Sequence, residues 1–274
     1  MKNPPTGKIA TPTTRKELLA ILANCPNARM VAGATDWMPA IRSVRNETET
    51  IVDLSGIGEM KNVEIDGSTL VVGACATMCS LATSEEVALH ASALSVAVSL
   101  VGSPQIRSRA TVGGNAAGAS PAADTPVALA ALGARAVIAS TRAIRELPVQ
   151  EIPVAIGRNA LSPDEAILEF RIPSGAGAAS SFAKLGTRHG VSIARVNLGV
   201  FLSGHLARVF IGTLGPRPVE SADAATALIS GDVNAFLQAL TETVDRSIPG
   251  RHSQGYKRRA IVALGEDVLR RLYR

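Results

Sequence analysis

Hydrophobic and polar positions along the chain alternate in two periods, and the changes of period mark the elements. An amphipathic helical pattern, "RKELLAILANCP", follows the capping hydroxyls Thr13 and Thr14 and is closed by Pro26. "ARMV" predicts a short apolar strand running straight into "AGATDWMPAIR", and "TIVDLSGI" predicts another. "KNVEIDGSTLVVGA" alternates as a hairpin does around the turn dipeptide Asp66-Gly67. One or two helices rich in small residues are expected over "SLATSEEVALHASALSVAVSL". The glycine-rich run 111–124 reads as a turn. A helix over 125–132, a strand over 134–140 and the strand "EAILEFRIP", ending at Pro173, complete this half.

"PSGAGAAS", residues 173–180, is the best candidate boundary in the chain, and it divides 1–174 from 175–274. Beyond it three strands follow in succession, "SSFAKLGTR", "ARVNLGVFLSG" and "LARVFIGTLG", with helices from about Ala222 to the end. Strands followed by helices predict an α+β architecture. The first half lacks the regular strand–helix alternation of a doubly wound sheet, and no internal repeat is present.

Composition narrows the class. With 274 residues, 46% apolar and 19% charged, the chain is long enough for two domains with real cores. Only "MKNPPTGKIATP" has the character of a loose terminus. The net charge of +5 is spread among acids, apart from "YKRRAIVALGEDVLRRLYR", which reads as a helix turning Ile261, Val262, Leu264, Val268, Leu269 and Leu272 inward. Aromatics at 3% leave few stacking platforms, so nucleic acid is not the expected partner. Residues 87–106 carry no acid or base except His90, but four serines, Gly102 and Pro104 favour a buried helix over a membrane span. Cys25, Cys75 and Cys79 cannot build a disulfide framework, and Cys75 with Cys79 lacks the further ligands of a metal or iron–sulfur site. With no signal peptide's apolar core at the N-terminus, a cytoplasmic location is expected.

Self-contained catalytic motifs are missing. The glycines Gly113, Gly114 and Gly118 do not match a dinucleotide fingerprint, no phosphate-loop lysine follows, and no nucleophile elbow occurs. "SFAK", Ser181 to Lys184, sits in a strand-like run without the companion motifs of penicillin-recognising enzymes. His90, His189, His205 and His252 are too scattered for a local metal pair. Two glycine-bearing turns remain, "VAGATDW" (31–37) and "TVGGNAAGASPAAD" (111–124). Glycine lets backbone approach a ligand and lets successive amides converge on an anion. Thr35 and Thr111 add hydroxyls, and Asp124 can accept from a sugar. Either turn alone is also an ordinary structural turn, but together they predict a nucleotide held between subdomains.

These stretches, in this order, resemble a family. "VAGATDWMPAIR", "IVDLSGIGEMKNVEIDGSTLVVGACATMCSL", "VGSPQIRSRATVGGNAAGASPAADTPVALAALGA" and "FAKLGTRHGVSIARVNLGV" are similar to the FAD-binding medium subunit of molybdenum hydroxylases, as in carbon monoxide and xanthine dehydrogenases. The likeness continues through "IGTLGPRPVESADAATALISG" and "GYKRRAIVALGEDVLRRLY" and so covers nearly the whole chain.

The resemblance implies a two-lobed FAD-binding domain of the PCMH or vanillyl-oxidase type over 1–174. A small α+β domain of the carbon monoxide dehydrogenase flavoprotein C-terminal type would follow over 175–274. It implies FAD contacts at Val31, Ala32, Gly33, Ala34, Thr35, Asp36 and Trp37, at Thr111, Val112, Gly113, Gly114 and Asn115, and at Asp124 and Ile167. Lys184 would stand near the flavin as a fixed positive charge. It implies no catalytic acid or base here, and no metal site. Electrons would come from [2Fe–2S] clusters on a small partner subunit, fed by a molybdenum cofactor on a large one, and leave FAD for an external acceptor. A stand-alone flavin oxidoreductase and a scaffold that has lost FAD are the alternatives. One departure stands out: the family usually has two glycines where this chain has Gly33-Ala34. If position 34 requires positive φ, alanine there costs about 1–2 kcal/mol.

Overall fold

The computed structural model describes residues 8–41, 50–174, 178–188 and 191–273. The centre of the proposed linker, 175–177, and the N-terminal residues 1–7 lie outside them, as does His189. The chain opens with a small parallel sheet in which β1 (Ile9–Ala10) and β2 (Ala28–Val31) flank β3 (Thr50–Asp53). Helix α1 (Arg15–Asn24) is capped by Thr14, whose hydroxyl accepts from the Glu17 amide, and it buries Leu18 and Leu22. A short helix α2 (Trp37–Ile41) follows the turn after β2.

A five-stranded antiparallel sheet comes next. Its hairpin of β4 (Val63–Asp66) and β5 (Thr69–Gly73) turns at Gly67, whose φ is +58°. Three short helices replace the one or two expected after it: α3 (Met78–Ala82), α4 (Glu85–His90) and α5 (Ser92–Ser99). Thr77 and Ser84 each cap the start of one of them, which is why the apolar run breaks. Helices α6 (Pro104–Arg107), α7 (Val112–Ala117) and α8 (Thr125–Ala131) lead back to a second hairpin, β6 (Arg135–Ala139) and β7 (Ile144–Pro148). A ribbon of β8 (Pro153–Ala155) and β9 (Arg158–Asn159) precedes β10 (Ala166–Pro173), which closes the sheet in the order β4-β5-β10-β6-β7.

The remaining chain forms an antiparallel sheet, β11 (Ala179–Gly186), β12 (Ala194–Ser203), β13 (Leu206–Ile211) and β14 (Val219–Glu220). Helices α9 (Ala222–Ser230), α10 (Val233–Ser247) and α11 (Gln254–Leu272) cover one face of it. Successive side chains point to opposite faces of the sheet, and both faces are covered by a core, so these strands are largely apolar throughout. Val196, Leu198, Val200, Val209 and Ile211 pack with Phe236, Leu240, Ile261 and Val268 in one core. Phe182, Phe201 and Phe210, on the opposite face, belong to the other core, with α5, α8 and the five-stranded sheet. Close approach to α8 requires Gly199, where a Cβ would sit 2.9 Å from the Val127 carbonyl oxygen. Among the described residues, no helix is long and apolar enough to cross a membrane.

Candidate functional site

Strand β2 delivers the chain to the first turn with Val31 buried beside Asp53. At Gly33 a Cβ would lie 2.1 Å from the Arg109 carbonyl oxygen, so only glycine lets these two segments touch. Ala34 has φ +60°, the left-handed region. Its carbonyl accepts from the Met38 amide at 3.0 Å, which starts α2. Among the described residues, the amides of Gly33, Ala34 and Thr35 donate to no protein acceptor. A left-handed residue between such amides forms a concavity suited to an anion.

The second segment differs from the expectation. Residues 112–117 are helical, not a turn, and the Thr111 hydroxyl accepts from the Gly114 amide at 3.2 Å. The Val112 and Gly113 amides are taken by the carbonyls of Ala76 and Ala74. This stretch therefore offers no row of free amides, and Gly113 serves close packing. A Cβ on Gly113 would meet Ala74 Cβ at 2.7 Å. Asn115 accepts through Oδ1 from the buried Thr125 hydroxyl at 2.6 Å, which leaves its Nδ2 as a donor.

Between the two segments lies a cavity of about 540 Å³, within the usual range for a cofactor site. Val31, Ala32, Gly33, Ala34, Thr35, Asp36, Trp37, Thr111, Gly114 and Asn115 all line it. So do residues that sequence reasoning passed over: Ala28, Arg29, Met30, Ala110, Ala117, Gly118, Gly157, Asn159 and Leu161. The turn at Gly157 (φ +69°) and Asn159, which donates to the Ala117 carbonyl at 2.8 Å, were the legible signal for that wall. A smaller, apolar recess of about 80 Å³ shares Met30, Ala32, Gly114, Ala117 and Leu161 with it. Gly113, Ile167 and Cys75 line this recess, whereas Val112 is fully buried away from both spaces. Burial pushes the Cys75 thiol up to about 11.

Asp124 and Lys184 line neither space. They form a buried ion pair at 2.5 Å, and Lys184 Nζ also donates to the Leu100 carbonyl at 3.1 Å. Asn197 Nδ2 donates to the other carboxylate oxygen at 2.8 Å. The Asp124 carboxyl is pushed upward by burial, against the pull of Lys184 and Asn197. Lys184 is not a lone positive charge, because Asp124 neutralises it, and Asp124 has both oxygens engaged by protein donors. The pair instead ties the start of α8 to β11 and β12.

Comparison with known proteins agrees with this geometry. Residues 5–175 match the family model of the FAD binding domain in molybdopterin dehydrogenase. The chain is 29% identical over 261 residues to the nicotinate dehydrogenase FAD-subunit of Eubacterium barkeri, covering 90% of this chain and 88% of that one. It is 30% identical over 217 residues to the caffeine dehydrogenase subunit beta of a Pseudomonas species, covering 76% and 73%. Its fold matches a chain of carbon monoxide dehydrogenase from Hydrogenophaga pseudoflava with a TM-score of 0.87 at 24% identity, over 99% of each. A chain of quinoline 2-oxidoreductase from Pseudomonas putida matches with a TM-score of 0.82 at 25% identity, over 99% of this chain and 96% of that one. With more than half its length matched by the family model, and a cavity built where its two glycine-bearing segments meet, this chain belongs to the FAD-binding family of the molybdopterin dehydrogenases.

Proposed function

We propose that the chain is the FAD-binding electron-transfer subunit of a molybdenum hydroxylase complex. In this reading a large subunit carries the molybdenum cofactor, and a small one carries [2Fe–2S] clusters that pass electrons to FAD here. The observation that carries the reading is the cavity between turn 31–37 and α7, lined by left-handed Ala34 and by three residues whose amides have no protein acceptor among the described residues. These features fit FAD: amides left without a protein acceptor suit its diphosphate, and the apolar recess suits part of a flat ring system. When bound, FAD supplies the redox chemistry, linking one-electron donors to one- or two-electron acceptors.

The chain's own residues bind and orient. Gly33, Ala34 and Thr35 offer backbone donors, Asn115 offers Nδ2 in an orientation fixed by Thr125, and Ile167 and Met30 exclude water from the recess. Asp124 and Lys184 support the fold behind the site. No proton transfer is asked of any side chain. The nicotinate and caffeine relatives carry "subunit" in their names, which supports the multi-subunit reading. We place the domain boundary near 174–175, between β10, which closes the five-stranded sheet, and β11, which opens the second antiparallel sheet. The free cysteines Cys25, Cys75 and Cys79 support a reducing, cytoplasmic setting.

The test is purification of the chain, with FAD titration and pull-down of products of adjacent genes followed by iron and molybdenum analysis. Stoichiometric FAD and partners rich in iron and molybdenum are expected. Turnover of a small molecule by the isolated chain would favour a stand-alone enzyme. Failure to take up FAD on reconstitution would favour a scaffold.

A further inference from the structure

Among the described residues, three non-glycine residues have positive φ: Ala34 (60°), Ala119 (47°) and Thr213 (67°). Thr213 is the least comfortable, because a β-branched side chain fits the left-handed region poorly. Such strain persists only where the surroundings over-determine it. Here every polar group of Thr213 is held. Its amide donates to the Pro121 carbonyl at 3.1 Å, and its hydroxyl donates to the Arg195 carbonyl at 2.8 Å. Lys257 Nζ, on α11, donates both to the Thr213 carbonyl and to its hydroxyl oxygen.

One of these bonds ends in a loop whose first residue lines the cavity. Pro121 lies in the loop 118–124 that joins α7 to α8. Gly118, at its start, lines the cavity, and the Ala119 carbonyl accepts from the amide of Gly157, which also lines it. At the far end, Asn197 Nδ2 holds the Ala123 carbonyl and Asp124 Oδ1. Asn197 stands two residues beyond Arg195, and its own carbonyl accepts from Gly212, the residue before Thr213. Thr213 thus joins the loop's middle to the strand that holds its end. Among the described residues, Lys257 bonds only to Thr213, although burial and then the Arg251 and Arg195 charges push its ammonium pKa down. An ordinary surface lysine would instead find a carboxylate or water.

We propose that Lys257 is a positioning residue for the FAD site, pinning strained Thr213 so that the C-terminal sheet and helices hold loop 118–124 against the cavity. The proposal rests on the FAD reading above. Its test compares wild type with Lys257→Met, Lys257→Arg, Thr213→Gly and the Lys257→Met/Thr213→Gly double variant. FAD affinity is read by quenching of flavin fluorescence, the bound flavin by its visible spectrum and midpoint potential, and the fold by the melting temperature without FAD. Lys257→Met should weaken FAD binding about tenfold, the loss expected for hydrogen bonds from a charged donor. It should also alter the flavin spectrum or potential while leaving the FAD-free melting temperature within a few degrees. Lys257→Arg should restore binding. In the Thr213→Gly background, where glycine needs no brace, Lys257→Met should change little. Were Lys257→Met not to fold, Lys257→Gln, which keeps a neutral amide donor, carries the same comparison.

Wild-type affinity and spectrum in the lysine variants, or an equal loss with and without Thr213→Gly, would overturn the proposal alone. A wild-type chain that takes up no FAD would overturn it together with the FAD reading.

Discussion

Ala34→Gly isolates the feature that sets this chain apart at the first turn. Holding an L-residue in the left-handed region costs about 1–2 kcal/mol, and Ala34 is held there at φ +60°. Glycine removes that cost but adds freedom to the unfolded chain, which takes back about 0.4–1 kcal/mol. No packing is lost, because the Ala34 side chain lines an open cavity, and the bond from the Met38 amide to its carbonyl is backbone and survives. The net gain is about 0.5–1 kcal/mol. It falls on folding if the turn is set in the free protein, and on binding if FAD sets it. Urea unfolding without FAD and FAD titration should therefore share that gain, a binding-only effect being about two- to fivefold in Kd. Ala34→Val, with a β-branched side chain in the same conformation, should move the same measurements the other way by at least as much. If Ala34→Gly changes neither stability nor affinity, or Ala34→Val behaves like glycine, residue 34 is not strained and the reasoning fails.

Three further outcomes follow from the same geometry. Gly33→Ala drives a Cβ to 2.1 Å from the Arg109 backbone oxygen, so it should cost at least about 2 kcal/mol and weaken FAD binding; an unchanged urea midpoint would show that the two segments part freely. Lys184→Met should cost about 3 kcal/mol at neutral pH, because it leaves the Asp124 carboxylate buried without its cation. Asp124 is already pushed upward by burial, and losing Lys184 raises it further. A carboxyl raised on folding contributes its full stability below the unfolded value and loses it as pH rises through the folded value. The deficit of Lys184→Met should thus shrink toward acid pH, and unfolding curves showing it constant with pH would contradict the ion pair. A thiol reagent at pH 8 should label exposed Cys79 rapidly, and Cys75, buried with its pKa near 11, only after unfolding; equal rates would refute the burial of the recess.

What could be read from the sequence divides along physical lines. Thr13-Thr14 before α1, Asp66-Gly67 in the hairpin and the three strand-like runs of β11 to β13 are local signals, and each element stands where its signal falls. Turn 31–37 was legible because its glycine and its left-handed successor act within four residues. The glycines at 113 and 114 are consistent in sequence with either free amides or close packing. At Gly113 only the position of the Ala74 and Ala76 carbonyls, nearly forty residues away in sequence, decides for packing. Asp124 and Lys184 were singled out one by one, yet their meaning lies in their contact, which depends on how β11 meets the start of α8. Thr213 and Lys257 were invisible for the same reason: neither threonine nor lysine announces positive φ or a buried charge. The readable part of this site is where one short segment creates the geometry. The part that holds it in place is made by segments as far apart as Pro121, Arg195, Thr213 and Lys257, and only their convergence gives those residues a role.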